Sequence, residues 1–179
     1  MTLVRLWPPL GVAAMLLLGW VVGKSATPVD EWFQQYWDSP AAHLALVTSP
    51  VVLVALLVAV MSVALYRRRW RLAAATVLSP LVGIACVRLL KPVFGREKGS
   101  GLAYPSGHVT TLVIVWGLVV LAAGCAWWAV LVAIAVILVG MFGVGITFHY
   151  FTDTVGGLLL GSAVVALVAL TSGRIPHRT

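Results

Sequence analysis

The sequence predicts an all-α protein that crosses a membrane several times. Of its 179 residues, 61% are hydrophobic and only 9% are charged, whereas a soluble domain carries about a quarter charged residues. Six apolar segments have, or come close to, the length of about 20 residues that a helix needs to cross the hydrocarbon core of a bilayer. These observations exclude an ordinary soluble globule and a disordered regulator. In such a chain the net charge of +7 does not indicate nucleic-acid binding.

The six predicted membrane helices extend through the whole chain, which we treat as a single domain comprising residues 1–179. In order, they are Leu6–Gly23, Leu44–Leu65, Arg71–Leu90, Val109–Leu121, Trp127–Phe142 and Tyr150–Leu170. The first follows Arg5 as in a signal peptide, but Gly19 to Gly23 is a poor match to a cleavage site and five more spans follow. The fourth and fifth segments are short and can extend into their flanks.

The placement of the basic residues predicts the orientation of the helices. Short loops rich in Lys and Arg mark the cytoplasmic side. Seven of the twelve basic residues fall on one face, namely Arg5, Arg67, Arg68, Arg69, Arg71, Arg174 and Arg178. Both termini are therefore predicted to be cytoplasmic.

Four other cations gather on the opposite, outer face, where this rule disfavours them. They are Arg88, Lys91, Arg96 and Lys98. Phosphate is a suitable partner, because Arg binds it through two parallel hydrogen bonds and Lys supplies a point charge. The alternative is an interfacial cluster whose side chains reach anionic lipid headgroups.

The connection between the first two predicted spans contains three of the five acids and an apolar, aromatic face. The acids are Asp30, Glu31 and Asp38. The apolar residues Val29, Trp32, Phe33, Tyr36 and Trp37 recur at helical spacing, which predicts an amphipathic helix lying in the outer interface. We interpret this face as an aromatic belt that fixes the depth of the protein. A guide for lipid substrates is the alternative.

The segment Tyr104-Pro-Ser-Gly-His108 stands at the start of the fourth span. Ser106 and the free backbone N–H groups of a helix N-terminus, including that of Gly107, form a cradle for an anion. His108 can exchange a proton at physiological pH. The alternative is an ordinary helix start with a structural histidine.

The segment His149-Tyr-Phe-Thr-Asp153 leads into the sixth span. The i, i+4 spacing places His149 and Asp153 on one face of a helix. There the carboxylate can accept a hydrogen bond from one ring nitrogen and leave the other as a nucleophile or base. Because an acid inside a membrane segment is costly, we favour a functional site over a polar tie between helices.

The order of these motifs resembles the type 2 phosphatidic acid phosphatase (PAP2) superfamily of membrane lipid phosphatases. Its three signatures read Lys-x6-Arg-Pro, Pro-Ser-Gly-His and Ser-Arg-x5-His-x3-Asp. The second signature matches completely, and the third matches at His149 and Asp153. Lys98-Gly99 replaces the Arg-Pro of the first signature.

Phe142-Gly143 replaces the Ser-Arg of the third signature, so a phosphate-binding arginine is missing there. Arg88 and Arg96 are the candidates to take its place in space.

The resemblance implies a phosphatase that uses neither a metal nor a cofactor. His149 would attack phosphorus and form a phosphohistidine while Asp153 orients its ring, and His108 would protonate the leaving lipid oxygen and later activate water. The phosphoryl oxygens would be bound by Lys91, Arg96, Lys98, Ser106 and the backbone N–H of Gly107. The residues agree with metal independence, because Glu97 is the only acid near the cations.

The expected partners are the cell membrane and a lipid phosphate or diphosphate approached from the outer leaflet, with no nucleic acid; the oligomeric state is not indicated. The small extramembrane mass favours a polyprenyl-linked phosphate over phosphatidate or phosphatidylglycerol phosphate. Two alternatives stay open: a lipid phosphotransferase, and a non-catalytic partner that binds or transports a lipid phosphate. For the last, restoring arginine at position 143 is expected to create activity.

Overall fold

The computed structural model describes residues 2–172, so Arg174 and Arg178 of the predicted cytoplasmic face lie outside the described residues. This part of the chain is helical apart from one short hairpin and the connecting turns. Its elements are α1 Thr2–Val22, α2 Pro28–Gln34, a 3₁₀ helix Pro40–Thr48, α3 Pro50–Tyr66, α4 Trp70–Phe94, β1 Glu97–Lys98, β2 Gly101–Leu102, α5 Gly107–Ala122, α6 Trp127–Ile146 and α7 Phe151–Thr171.

The helices identify a multi-pass membrane protein. Five helical segments are long and apolar enough to cross a membrane: α1, the 3₁₀ helix together with α3, α4, α6 and α7. The helix α5 is also apolar but has only 16 residues. Each predicted span therefore corresponds to a helix, and the crossing by α5 that completes a six-span topology remains a prediction.

The second predicted span, Leu44–Leu65, differs most from the observed helices. The chain leaves the 3₁₀ helix at Ser49, whose Oγ accepts a hydrogen bond from the backbone N–H of Val52, and α3 begins at Pro50. Proline suits the first position of a helix because its φ is preset and its missing N–H is not needed there. The preceding 3₁₀ helix packs against α6 instead of continuing α3.

Small residues bring α5 and α7 into direct contact. A Cβ atom at Gly157 would lie 2.6 Å from the carbonyl oxygen of Ser106, and one at Gly161 would lie 2.8 Å from the Cβ of Val113. Such contacts are possible only where glycine lets two backbones approach closely. The starts of α5 and α7, which contain His108 and Asp153, are therefore adjacent.

The helix in the connection between α1 and the 3₁₀ helix is shorter than the predicted aromatic face. The helix α2 ends at Gln34, so Tyr36 and Trp37 lie beyond it. Of the five predicted apolar residues, Phe33 is the buried one, and its ring stacks on that of Phe151 at a centroid distance of 3.9 Å. Because α2 packs against α6 and α7, it belongs to the helix bundle; its depth in a membrane remains a prediction.

The arginines of residues 67–71 lie at the opposite end of the bundle from the three polar motifs. Arg69 donates to the carbonyl oxygens of Leu121 and Ala122 at the end of α5, and Arg71 donates to that of Thr171 at the end of α7. The 25 residues of α4 separate this end from the other by about 37 Å at about 1.5 Å per residue. The described ends of the chain lie at the arginine end, whereas the motifs lie at the other.

Candidate active site

The three polar motifs meet where α4 ends and where α5 and α7 begin. The backbone N–H of Ser106 donates to the carbonyl oxygen of Asp153 at 3.0 Å, which links the starts of α5 and α7. The rings of His108 and His149 lie 5.6 Å apart between centroids. Residues that are separated by about 40 positions in the sequence therefore form one site.

A cavity of about 600 Å³ opens beside the two histidines, and we call it the histidine cavity. Its polar wall consists of Thr48, Arg88, Lys91, Gly107, His108, Thr111 and His149. Its apolar wall comes from α3 and α4 and consists of Pro50, Leu53, Val54, Leu57, Pro80, Ile84 and Val87. The cavity is thus cationic at one end and apolar along the rest, which suits an amphiphile with an anionic head.

Two cations of α4 lie on the polar wall. Arg88 and Lys91 are three positions apart and therefore share a face of the helix. The Nζ of Lys91 donates to the carbonyl oxygen of Leu102 at 2.5 Å, so the β1–β2 hairpin closes over this cation. Arg88, which the sequence offers only as a candidate replacement for the missing arginine, is placed on the cavity with both histidines.

Position 143 has no room for the missing arginine. A Cβ atom on Gly143 would lie 2.3 Å from the backbone nitrogen of Ala45 and 2.5 Å from the carbonyl carbon of Leu44. Both atoms belong to the backbone of the 3₁₀ helix, which cannot yield as a flexible side chain can. This geometry argues against the expectation that arginine at 143 creates activity, because any side chain there would displace the 3₁₀ helix from α6.

The side chains of His149 and Asp153 lie close together, but they do not share a helix face as predicted, because His149 precedes α7, which begins at Phe151. The Nδ1 of His149 lies 3.7 Å from the Oδ2 of Asp153, and among the described residues this nitrogen has no hydrogen-bond partner. Asp153 is completely buried, and its Oδ2 accepts from the backbone N–H of Tyr150 at 2.9 Å. A shift of a few tenths of an ångström would close the bond to His149, and catalytic hydrogen bonds often tighten when substrate binds.

His108 is held in place by an aromatic contact. It is the second residue of α5, and its ring stacks on Phe148 at a centroid distance of 5.1 Å and an interplanar angle of 18°. The backbone N–H of Gly107, at the first position of the same helix, is one of the donors that a helix start leaves without an intrahelical partner. The start of α5 thus presents a proton carrier and an anion-binding amide to the cavity.

Arg96 lies behind the cavity instead of on its wall. Its side chain is completely buried, and its two terminal nitrogens contact Asp30 and Asp153, each at 2.7 Å. The predicted role of Arg96 as a phosphate ligand therefore does not match its position, because its guanidinium is already bound to two carboxylates. Asp30 also belongs to the site, although we did not select it from the sequence. An acid in the same outer region as a cluster of cations was the feature of the sequence that could have indicated it.

Lys98 and Ser106 also contact the site from outside the cavity. The Nζ of Lys98 donates to the carbonyl oxygens of Thr147 at 3.0 Å and His149 at 2.7 Å. The Oγ of Ser106 caps α5 by accepting from the backbone N–H of Val109. Both residues shape the loop or helix that carries a histidine, and neither lies on the cavity wall in the part of the chain that the structure describes.

No protein-family model and no curated protein matches the sequence. Among solved structures, the chain is similar to a transmembrane PAP2-type phosphatidylglycerolphosphate phosphatase from Bacillus subtilis, with a TM-score of 0.76 and 17% sequence identity. The match covers 97% of this chain and 100% of that protein. The chain therefore has the transmembrane fold of a PAP2-type phosphatase.

Proposed function

We propose that this protein is a membrane phosphatase of the PAP2 superfamily that hydrolyses a lipid phosphate or diphosphate through a phosphohistidine. One observation carries the proposal: two histidines, Arg88 and Lys91 line the same cavity, whose remaining wall is apolar. The carboxylate of Asp153 lies next to the ring of one of these histidines, His149. The shared fold with a PAP2-type phosphatase supports it. The single domain of residues 1–179 and the placement of the site at the outer face of the cell membrane are parts of the same proposal.

In the first step, His149 attacks phosphorus with the lone pair of Nε2. The nitrogen–phosphorus bond forms as the bond from phosphorus to the lipid oxygen breaks, and His108 gives its proton to that oxygen. Asp153 accepts a hydrogen bond from Nδ1 and stabilises the positive charge that develops on the ring. In the second step, His108 takes a proton from water, which attacks phosphorus and releases inorganic phosphate and His149.

The cations of the chain perform the role that a metal ion plays in many phosphoryl-transfer sites. Arg88 and Lys91, with the backbone N–H of Gly107, bind the equatorial oxygens of the phosphoryl group and neutralise the charge that they share. We therefore propose that activity needs no added metal. Lys98 and Arg96 do not touch the phosphate: Lys98 binds the backbone carbonyl of His149, and Arg96 binds the carboxylate of Asp153. Ser106 caps the start of α5.

The substrate's lipid tail lies between α3 and α4. The apolar wall of the histidine cavity continues into a second cavity of about 420 Å³, with which it shares Val54, Leu57 and Pro80. Together they form an open apolar groove between α3 and α4 that leads from the cations along the outer surface of the bundle. Within this class we favour a polyprenyl-linked phosphate, and phosphatidate and phosphatidylglycerol phosphate are the alternatives.

The function is tested by phosphate release from a panel of these three lipids, with purified protein in detergent and excess EDTA. Release from at least one lipid is expected, and complete dependence on an added divalent cation would contradict metal independence. Loss of free phosphate when a sugar or lipid acceptor is added would identify a phosphotransferase. Binding of every lipid without turnover would identify a non-catalytic partner.

Replacing His108 by alanine is expected to separate the two steps. A substrate with an acidic leaving group, such as p-nitrophenyl phosphate, needs little help from a general acid, so the first step persists while the attack of water slows by about 10²- to 10⁴-fold. Phosphorylated protein should therefore accumulate, and its phosphate should be labile in acid and stable in alkali. Absence of a burst of p-nitrophenol, with no phosphoprotein, would contradict this role of His108.

The charge of Lys98 predicts how activity depends on pH. Burial lowers the pKa of Lys98 to about 8, although Asp153 and Asp30 favour its charged form. Lys98 is thus a cation below that pH and neutral above it, and kcat/KM, which reports the free enzyme, should fall about tenfold above a midpoint near pH 8. In Lys98→Arg the guanidinium stays protonated. The midpoint should then move up by at least about one pH unit, and an unchanged midpoint would show that another group causes the fall.

A further inference from the structure

Asp30, Arg96 and Asp153 form a buried charged cluster directly behind His149. None of the three side chains is exposed. The Nη2 of Arg96 contacts the Oδ2 of Asp30, and its Nη1 contacts the Oδ1 of Asp153, each at 2.7 Å. One guanidinium therefore connects α2 with the carboxylate that faces the proposed nucleophile.

Thr152 and Tyr150 fix the orientation of this cluster. The backbone N–H of Thr152 donates to the Oδ1 of Asp30 at 2.9 Å, and its Oγ1 accepts from the Nη1 of Arg96 at 2.6 Å. The ring of Tyr150 covers the guanidinium, with the Cζ of Arg96 at 4.5 Å from its centroid. A planar guanidinium held on two edges and one face has little freedom to rotate.

We propose that Arg96 and Asp30 are positioning residues of the active site, and that α2 is thereby a working part of it. The inference rests on the proposed function. Arg96 holds the Oδ1 of Asp153, so that the Oδ2 faces the Nδ1 of His149. Asp30 holds the other nitrogen of Arg96 and keeps the guanidinium from turning. A change in α2 therefore reaches the nucleophile through two salt bridges.

The charges of the cluster support this role. Burial by itself raises the pKa of Asp30, but hydrogen bonds from Thr152, Thr27 and Arg96 outweigh it, so the pKa stands below its ordinary value and the carboxylate is ionised. Arg96 occupies the Oδ1 of Asp153 and leaves its Oδ2 toward the Nδ1 of His149. This oxygen can stabilise the positive charge that develops on the ring when His149 takes the phosphoryl group, which favours the first step.

A purely structural tie between α2 and α7 is the competing explanation, since buried ion pairs often connect elements without serving catalysis. The two explanations differ in what they predict for protein that remains folded. A structural tie changes the free energy of unfolding and leaves the turnover of the folded fraction intact. A positioning residue changes kcat and leaves KM nearly unchanged, because Arg88 and Lys91 still bind the phosphate.

The test compares Asp30→Asn and Arg96→Lys with Glu31→Gln, which makes the same charge change as Asp30→Asn at the adjacent, exposed position of α2. We expect Asp30→Asn and Arg96→Lys to lower kcat by about tenfold or more, with KM within about twofold of wild type. Glu31→Gln should behave as wild type. A folded Asp30→Asn protein with wild-type kcat, or with a raised KM and an unchanged kcat, would overturn the proposal.

Thr152→Val gives a second test if the charged variants fail to fold. It removes one hydroxyl from the cluster and keeps all three charges, and kcat should fall by about threefold with KM unchanged. An unchanged kcat in this variant would count against the proposal.

A third measurement does not depend on turnover. In ¹⁵N-histidine NMR spectra, the signal of His149 is assigned as the one that disappears in His149→Gln. The wild type should show the tautomer of His149 that carries its proton on Nδ1. Folded Thr152→Val or Asp30→Asn should show a smaller fraction of this tautomer. Wild type that releases no phosphate would refute the proposed function, and the spectra would still decide the positioning role. An identical His149 signal in wild type and folded variants would refute that role even if wild type is active.

Discussion

Replacing His149 by alanine is expected to lower phosphate release by at least about 10⁴-fold, because the nucleophile is lost and no other group takes its place. Among the described residues, a carboxylate lies near the ring of His149, whose Nδ1 is 3.7 Å from Asp153, and none lies near that of His108. Water could attack phosphorus directly in the variant, but no residue would store the phosphoryl group. Phosphate release from the best lipid of the panel, measured with the wild type alongside, checks this expectation.

Binding and folding should survive in the His149→Ala protein. Arg88, Lys91 and the amide of Gly107 remain on the cavity wall, so the phosphorylated lipid should bind with an affinity within about tenfold of the wild type. His43→Ala is the control for the loss of a histidine: His43 is exposed in the 3₁₀ helix and lines a neighbouring cavity with His108, but it is not on the histidine cavity. Residual activity above a few per cent in His149→Ala would exclude a phosphohistidine on this residue.

The long apolar segments could be predicted from the sequence because a helix in lipid must satisfy its own backbone hydrogen bonds. Every predicted span corresponds to a helix, but the division at Ser49 and Pro50 was missed. Serine followed by proline is a typical helix start, and the apolar run that continues on both sides of it obscured this signal. The shortness of α2 was missed for a related reason. Its aromatic spacing continues to Trp37, whereas α2 ends at Gln34 and Tyr36 and Trp37 follow in turns with i→i−3 hydrogen bonds.

The site was predictable where its residues lie close together in the sequence. His149 and Asp153 were expected to share a helix face; their side chains do come within 3.7 Å, but His149 lies in the turn before α7, which begins at Phe151. The placement of Arg88, Arg96 and Lys98 could not be predicted, because it depends on how α4 and the β1–β2 hairpin pack against other elements. A cluster of cations in the sequence predicts an anionic partner, but Arg96 finds that partner in two carboxylates of its own chain, and Arg88 remains on the cavity wall.

The second large effect is expected at Arg88. Replacing it by alanine should lower kcat/KM by about 10²- to 10³-fold, because the cavity loses the guanidinium that binds two phosphoryl oxygens at once. Arg88→Lys keeps the charge without the paired hydrogen bonds and should recover part of this loss. Arg67→Ala is the matched control, since Arg67 is an exposed arginine at the opposite end of the bundle. Phosphate release and vanadate inhibition measure the effect.

In the proposed site, Arg88 takes over the role of the arginine that is missing at position 143. The backbone nitrogen of Ala45 lies 2.3 Å from where a Cβ of residue 143 would stand, so in this chain an arginine at that position would have to displace the 3₁₀ helix. An arginine on α4 approaches the cavity from the side on which Lys91 already lies. Adding Gly143→Arg to Arg88→Ala should therefore restore no activity and should lower the melting temperature. Recovered activity in that double variant, or Arg88→Ala within about threefold of wild type, would show that the phosphate is bound by another residue.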